Sequence, residues 1–139
     1  MLLFVYGTLR RFHERHSLLN GVAEFTSEGT VQGCLYDLGR YPGLALSAST
    51  SDRVIGEVYR LLAPHEDDTL CKLDEYEGIG PGNLHSGEYR RKLIPVLLPD
   101  GSVVEAWAYV LNRVRPDCRR ILSGDYHAYL RPGLQSPLR

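Results

Sequence analysis

Apolar positions in this chain come mostly in short blocks with strand spacing. Leu2–Tyr6 is a continuous apolar and aromatic run that stops at Gly7, the pattern of a buried strand followed by a loop. The segment ending His16-Ser17-Leu18-Leu19 predicts a short helix stopped by Asn20-Gly21. Thr30–Tyr36 alternates as a strand, and Gly39-Arg40-Tyr41-Pro42-Gly43 has the composition of a turn-rich loop. Arg53–Leu62 predicts a strand in which Gly56 marks a bulge or a close approach of another backbone. Pro64 opens a helix with Glu66, Asp67 and Asp68 in its first turn, where carboxylates suit the helix dipole. That helix runs to Tyr76 or Glu77 and stops at Gly78, with Gly80-Pro81-Gly82-Asn83 preventing continuation. Tyr89–Leu98 and Val103–Leu111 flank Pro99-Asp100-Gly101-Ser102 as a hairpin, and Pro95 puts the first arm at an edge or a bulge. Ile121–Leu130 reads as a loop entering a short helix, and the end beyond Pro132 frays.

Strands outnumber helices, and the regular βαβ alternation of a doubly wound sheet is missing. The pattern predicts an α+β fold: a small mixed β-barrel or strongly curved sheet with short peripheral helices, which manages its own edges. A length of 139 residues supports one hydrophobic core. The expected organisation is a single domain over 1–131 and a C-terminal tail over 132–139.

Composition narrows the function classes. The chain is 43% hydrophobic and 24% charged with a net charge of −1, so no global basic field attracts nucleic acid. Arg10, Arg11, His13, Arg15 and His16 form a local basic cluster, read as a solvated surface. Cys34, Cys71 and Cys118 are widely spaced without a CxxC pair, which favours reduced thiols, and Cys71 reads as an inert, half-buried one. No run approaches the roughly 18 apolar residues of a membrane span, and Met1–Val5 lacks a signal peptide's pattern. The expectation is a soluble cytoplasmic protein with no membrane or nucleic-acid partner.

Helical geometry separates the acidic residues near Gly78. At about 100° per residue, Leu70, Leu73 and Tyr76 form an apolar stripe, and Glu77 follows Leu73 by four and Leu70 by seven. Glu77 therefore points inward, Glu75 nearly opposite, and Asp74 lies on the flank. An inward carboxylate at a helix C-terminus is pushed up in pKa by desolvation and by the negative end of the dipole, which suits a general acid/base. The alternative is a frayed last turn with Glu77 in water or paired with Arg90 or Arg91.

Other chemistry has weaker support. The chain contains no GxSxG, HExxH or P-loop motif, so serine hydrolase, zinc protease and nucleotide hydrolase readings lack their usual supports. His85, in the loop after the helix, is a solvated histidine within possible reach of Glu77. In Tyr6-Gly7-Thr8-Leu9, a glycine turn after a buried strand can aim successive N–H groups at a carboxylate or phosphate. A turn with no ligand is the other reading of those four residues.

The order of several motifs resembles the γ-glutamylcyclotransferase-like superfamily, in its AIG2-like or γ-glutamylamine cyclotransferase form. They are Phe4-Val5-Tyr6-Gly7-Thr8-Leu9-Arg10, Leu35-Tyr36-Asp37-Leu38-Gly39 with Tyr41-Pro42-Gly43, and Ile55-Gly56-Glu57-Val58-Tyr59. Leu73-Asp74-Glu75-Tyr76-Glu77-Gly78, Glu88-Tyr89-Arg90-Arg91, Ala106-Trp107-Ala108-Tyr109 and Ser123-Gly124-Asp125-Tyr126 continue it, so the likeness runs from Leu2 to Leu130.

The resemblance implies a small barrel in which the Tyr6–Leu9 loop and Glu77 face each other across one cavity. It implies release of 5-oxoproline from a γ-glutamyl amine or isopeptide, with no metal or cofactor. In that reading Glu77 is the catalytic acid/base, with Gly7 turning the N–H groups of Tyr6, Gly7, Thr8 and Leu9 onto the substrate α-carboxylate. Tyr89, Arg91 and Tyr109 are further substrate contacts, Tyr89 and Arg91 sharing one strand face. Arg10 and Arg11 belong to the surface beyond. A downstream tyrosine used by some members has no counterpart here, where Arg115-Pro116-Asp117-Cys118 stands. Two alternatives stay open: a small-carboxylate-binding module of the same fold, and removal of a γ-glutamyl protecting group in a biosynthetic pathway.

Overall fold

The computed structural model describes residues 1–11, 13, 15–79 and 87–130. The predicted breaker at 80–83, His85 and the tail over 132–139 lie outside them. The described residues form seven strands: β1 (Leu2–Val5), β2 (Ala23–Asp37), β3 (Pro42–Leu46), β4 (Arg53–Leu61), β5 (Tyr89–Leu97), β6 (Val103–Leu111) and β7 (Arg119–Ile121). Two α-helices, α1 (Glu66–Tyr76) and α2 (Tyr126–Leu130), accompany a 3₁₀ turn over His16–Leu19.

Five strands close into a mixed barrel. β1 pairs β4, β4 pairs β2 and β2 pairs β3, all antiparallel. Parallel contacts of β3 and β1 with β6 complete the ring. β5 continues the sheet beyond β6 as its antiparallel partner, and β7 adds to β2. Pro95 stands opposite Glu105 on the outermost strand β5, where its missing N–H is tolerated.

Strand alternation sorts the core into two parts. Phe4, Val31, Leu35, Leu44, Val58, Ala106, Ala108 and Val110 belong to one cluster, to which all five ring strands contribute. The intervening residues Leu3, Val5, Tyr109 and Leu111 belong to a second cluster with Leu70, Leu73 and Ile79. β1 and β6 thus bury both faces, one into the barrel and one beneath α1.

Several expectations are corrected. The strand expected at Thr30–Tyr36 begins seven residues earlier, at Ala23, and carries an irregularity between Phe25 and Ser27. Pro42 and Gly43, expected in a loop, start β3, where β2 supplies the pairing. α1 begins at Glu66 with His65 at its N-cap, so Pro64 precedes the helix instead of opening it. For Gly56 the close-approach reading holds: a Cβ there would lie 2.4 Å from the Val5 carbonyl oxygen. Cys71 is exposed rather than half-buried.

Candidate functional site

A cavity of about 660 Å³ opens where β1 ends, lined by Tyr6–Leu9, Tyr41, Pro42, Tyr76, Glu77, Glu88, Tyr89 and Tyr109, among others. The structure thus brings the Tyr6–Leu9 loop, Glu77, Tyr89 and Tyr109 together, although they are far apart in sequence. Arg91 is elsewhere. Its guanidinium forks onto Asp74 at 2.8 and 3.1 Å and lies 4.4 Å from the Trp107 ring centre. The shared face of β5 is real, but Asp74 captures the arginine before it can reach the cavity.

Glu77 is held by the way its helix stops. Gly78 takes φ +81°, and its N–H donates to the Glu75 carbonyl at 3.1 Å. The Ile79 N–H donates to the Asp74 carbonyl at 2.8 Å, and the Glu77 N–H to Leu73 at 2.9 Å. This is a Schellman motif with Glu77 at the C-cap, and buried Ile79 packs in the cluster with Leu73. The last turn therefore does not fray. Neither arginine offered as a partner reaches Glu77, because Arg90 donates to the Leu111 carbonyl and Arg91 serves Asp74.

The electrostatics single out this carboxyl. Burial pushes Glu77 up to about 7, with help from the negative charges of Glu88 and Asp74. The phenols beside it are driven well above the usual tyrosine range, chiefly by burial. They act as neutral donors that fix the walls. Tyr6 donates to the Tyr109 carbonyl at 2.5 Å, Tyr89 to the Pro42 carbonyl at 2.7 Å, and Tyr109 to Asp74 Oδ1 at 2.7 Å. The Leu44 N–H in turn donates to the Tyr6 oxygen at 3.2 Å.

Gly7 has a different reason from the expected one. It is not among the glycines with positive φ; instead a Cβ would lie 2.5 Å from Pro42 Cγ. The loop needs glycine so that the Pro42 ring can press against its backbone. Among the described residues, no acceptor takes the N–H groups of Gly7, Thr8 or Leu9. The three residues that carry them line the cavity.

Arg10 is also corrected: it is 8% exposed, not a surface residue. Its Nη1 lies 2.9 Å from Asp125 and its Nε 3.8 Å from Glu57. Glu57 also accepts the Arg11 N–H and the Tyr59 hydroxyl, both at 2.9 Å. Three motifs distant in sequence thus clamp the far end of the Tyr6–Leu9 loop. Arg11 does keep a partly exposed side chain, over the Phe25 ring at 4.1 Å.

Sequence reasoning missed Arg15, Arg40, Tyr41, Tyr76 and Glu88 as lining residues. The Tyr41 hydroxyl donates to Glu88 Oε1 at 2.7 Å, joining two motifs that had been noted only for their order. Among the described residues, no group of three metal-ligating side chains is present, and no helix is long and apolar enough to cross a membrane.

The fold and cavity define a small mixed-barrel protein with one carboxyl poised near neutrality in a cavity that the Tyr6–Leu9 loop also lines. The chain belongs to the family described as gamma-glutamyl cyclotransferase, AIG2-like, which matches residues 3–128. It is 37% identical over 128 residues to the gamma-glutamylcyclotransferase family protein YtfP of Escherichia coli, covering 91% of this chain and 96% of that one. It is 33% identical over 113 residues to the gamma-L-glutamyl-butirosin B gamma-glutamyl cyclotransferase of Niallia circulans, covering 80% and 67%. The crystal structure of an AIG2-like protein from Mus musculus superposes with a TM-score of 0.68 at 25% identity, covering 84% and 80%.

Proposed function

We propose that this protein is a γ-glutamyl cyclotransferase that releases 5-oxoproline and a free amine from a γ-glutamyl conjugate. The observation that carries the reading is Glu77, a carboxyl raised to about 7 in the cavity that the Tyr6–Leu9 loop also lines. Near neutral pH such a group both accepts and donates a proton, as the reaction requires.

The loop N–H groups hold the substrate α-carboxylate by charge-assisted hydrogen bonds. Glu77 takes a proton from the α-ammonium, and the freed amine attacks the γ-carbonyl carbon, closing a five-membered ring. The tetrahedral centre collapses as the bond to the leaving nitrogen breaks and Glu77 returns a proton to that nitrogen. The ring nitrogen then loses its second proton through the same carboxylate. Nucleophile and electrophile belong to one molecule, so the site mainly holds the chain in an attacking conformation, an effect worth up to about 7–11 kcal/mol in well-oriented cases.

The test is Glu77→Gln, assayed by mass spectrometry for 5-oxoproline on a panel of γ-glutamyl amines, dipeptides and isopeptides. The variant is expected to stay folded and lose nearly all turnover. A folded variant that worked at the parent rate would falsify the assignment, and saturable binding by the parent without product would favour a carboxylate-binding module. The name of the Niallia circulans relative supports a second setting for the same chemistry, removal of a γ-glutamyl protecting group from a biosynthetic intermediate.

A further inference from the structure

The proposed chemistry leaves two cations of the cavity unused. Arg15, which follows the Tyr6–Leu9 loop, and Arg40, in the turn before β3, both line it. Arg10, Arg11, Arg60, Arg91, Arg115 and Arg120 all have carboxylate partners. Arg15 and Arg40 have none among the described residues. The Arg15 guanidinium lies 5.6 Å from the centre of the Tyr76 ring, and the Arg15 backbone N–H donates to the Thr8 carbonyl at 2.9 Å. Arg40 directly precedes Tyr41, which is tied to Glu88.

Position decides what these charges can meet. A general acid must touch the leaving nitrogen, so whatever that nitrogen carries extends from Glu77 toward the remaining walls, which include Tyr76, Tyr41, Arg15 and Arg40. Neither arginine pairs with Glu77 or Glu88, the two carboxylates that line the same cavity. A carboxylate on the carbon bonded to the leaving nitrogen would give these guanidiniums a charge-assisted partner. A cationic substituent would meet unpaired positive charge instead.

We infer that Arg15 and Arg40 recognise an anionic group on the leaving amine, so that the preferred substrates are γ-glutamyl conjugates of amino acids or short peptides rather than of simple amines or polyamines. This rests on the cyclotransferase reading above and narrows it. It also departs from the γ-glutamylamine preference that the motif spelling suggested.

The test compares γ-glutamyl-alanine with γ-glutamyl-ethylamine, which differ only by the leaving-group carboxylate. The parent is expected to show a kcat/KM ratio of about tenfold or more in favour of the alanine conjugate, as loss of one charge-assisted contact implies. In Arg15→Gln, Arg40→Gln and the double variant that ratio falls toward one. A parent ratio near one overturns the inference. So does a fall of both substrates by the same factor, which would place the arginines on the glutamyl carboxylate common to both. If neither compound yields 5-oxoproline, the cyclotransferase reading fails on its own account, and calorimetry with the same two compounds decides the inference. Tighter binding of the alanine conjugate, lost in the double variant, sustains it, and equal binding overturns it.

Discussion

Replacing Glu77 with glutamine is expected to stabilise the protein, and only on the alkaline side. Glutamate titrates near 4.5 when free and at about 7 in this site. Below the lower value the folded and unfolded chains both carry the proton, and Glu77 has no effect on the pH dependence. Between the two values the folded state holds a proton that the unfolded state has released, so stability falls as pH rises. Above about 7 the full cost of a buried charge stands. At about 1.4 kcal/mol per pH unit, the interval sets a ceiling of about 3 kcal/mol. Glu77 keeps some contact with solvent, which brings the expectation to about 2 kcal/mol. Glutamine carries no charge and escapes the cost. Urea unfolding of parent and E77Q, followed by the fluorescence of the chain's one tryptophan, Trp107, measures this at pH 4.5 and 8.5. The two proteins should nearly coincide at the lower pH, with E77Q ahead by about 2 kcal/mol at the higher. A gap that did not change with pH, or that favoured the parent under alkaline conditions, would refute the electrostatic account of this site.

Two other substitutions probe the frame around the cavity. Gly7→Ala puts a Cβ 2.5 Å from the Pro42 ring, which cannot rotate aside and whose carbonyl holds Tyr89. Overpacking of this kind costs about 1–3 kcal/mol, read by urea midpoint, and the displaced loop should raise KM. Arg10→Met takes the guanidinium from buried Glu57 and part-buried Asp125 and should cost about 2 kcal/mol, below the full cost of breaking a buried pair. Adding Asp125→Asn should restore part of that loss, whereas a purely additive double-mutant cycle would show the pair to be uncoupled.

What the sequence disclosed follows the range of the forces involved. The hairpin could be read because its turn chemistry is local: the Gly101 N–H donates to Leu98, and Asp100 accepts the Ser102 N–H. The inward direction of Glu77 could be read because Leu70 and Leu73 lie within two turns of it. β3 could not, because Pro42 and Gly43 have turn composition and become strand only through hydrogen bonds from β2 and β6. The first half of β2 was hidden for the same reason: its residues are mostly exposed, and β4 rather than a hydrophobic face specifies them. Arg10 looked like one more charge in a basic run. Only the chain's return at Glu57 and Asp125, 47 and 115 positions away, buries it.

The same distinction bears on how one helix offers two carboxylates with different fates. Asp74 and Glu77 stand three residues apart at the end of α1, on neighbouring sides of its apolar stripe. Asp74 meets a two-point guanidinium and a phenol, so its charge is matched on both oxygens. Among the described residues Glu77 meets no cation, and the charge on Asp74 adds to the cost of ionising it. Arg91, expected to touch substrate, therefore acts one step back. It occupies both oxygens of Asp74, while Glu77, with no such partner among the described residues, is raised to about 7.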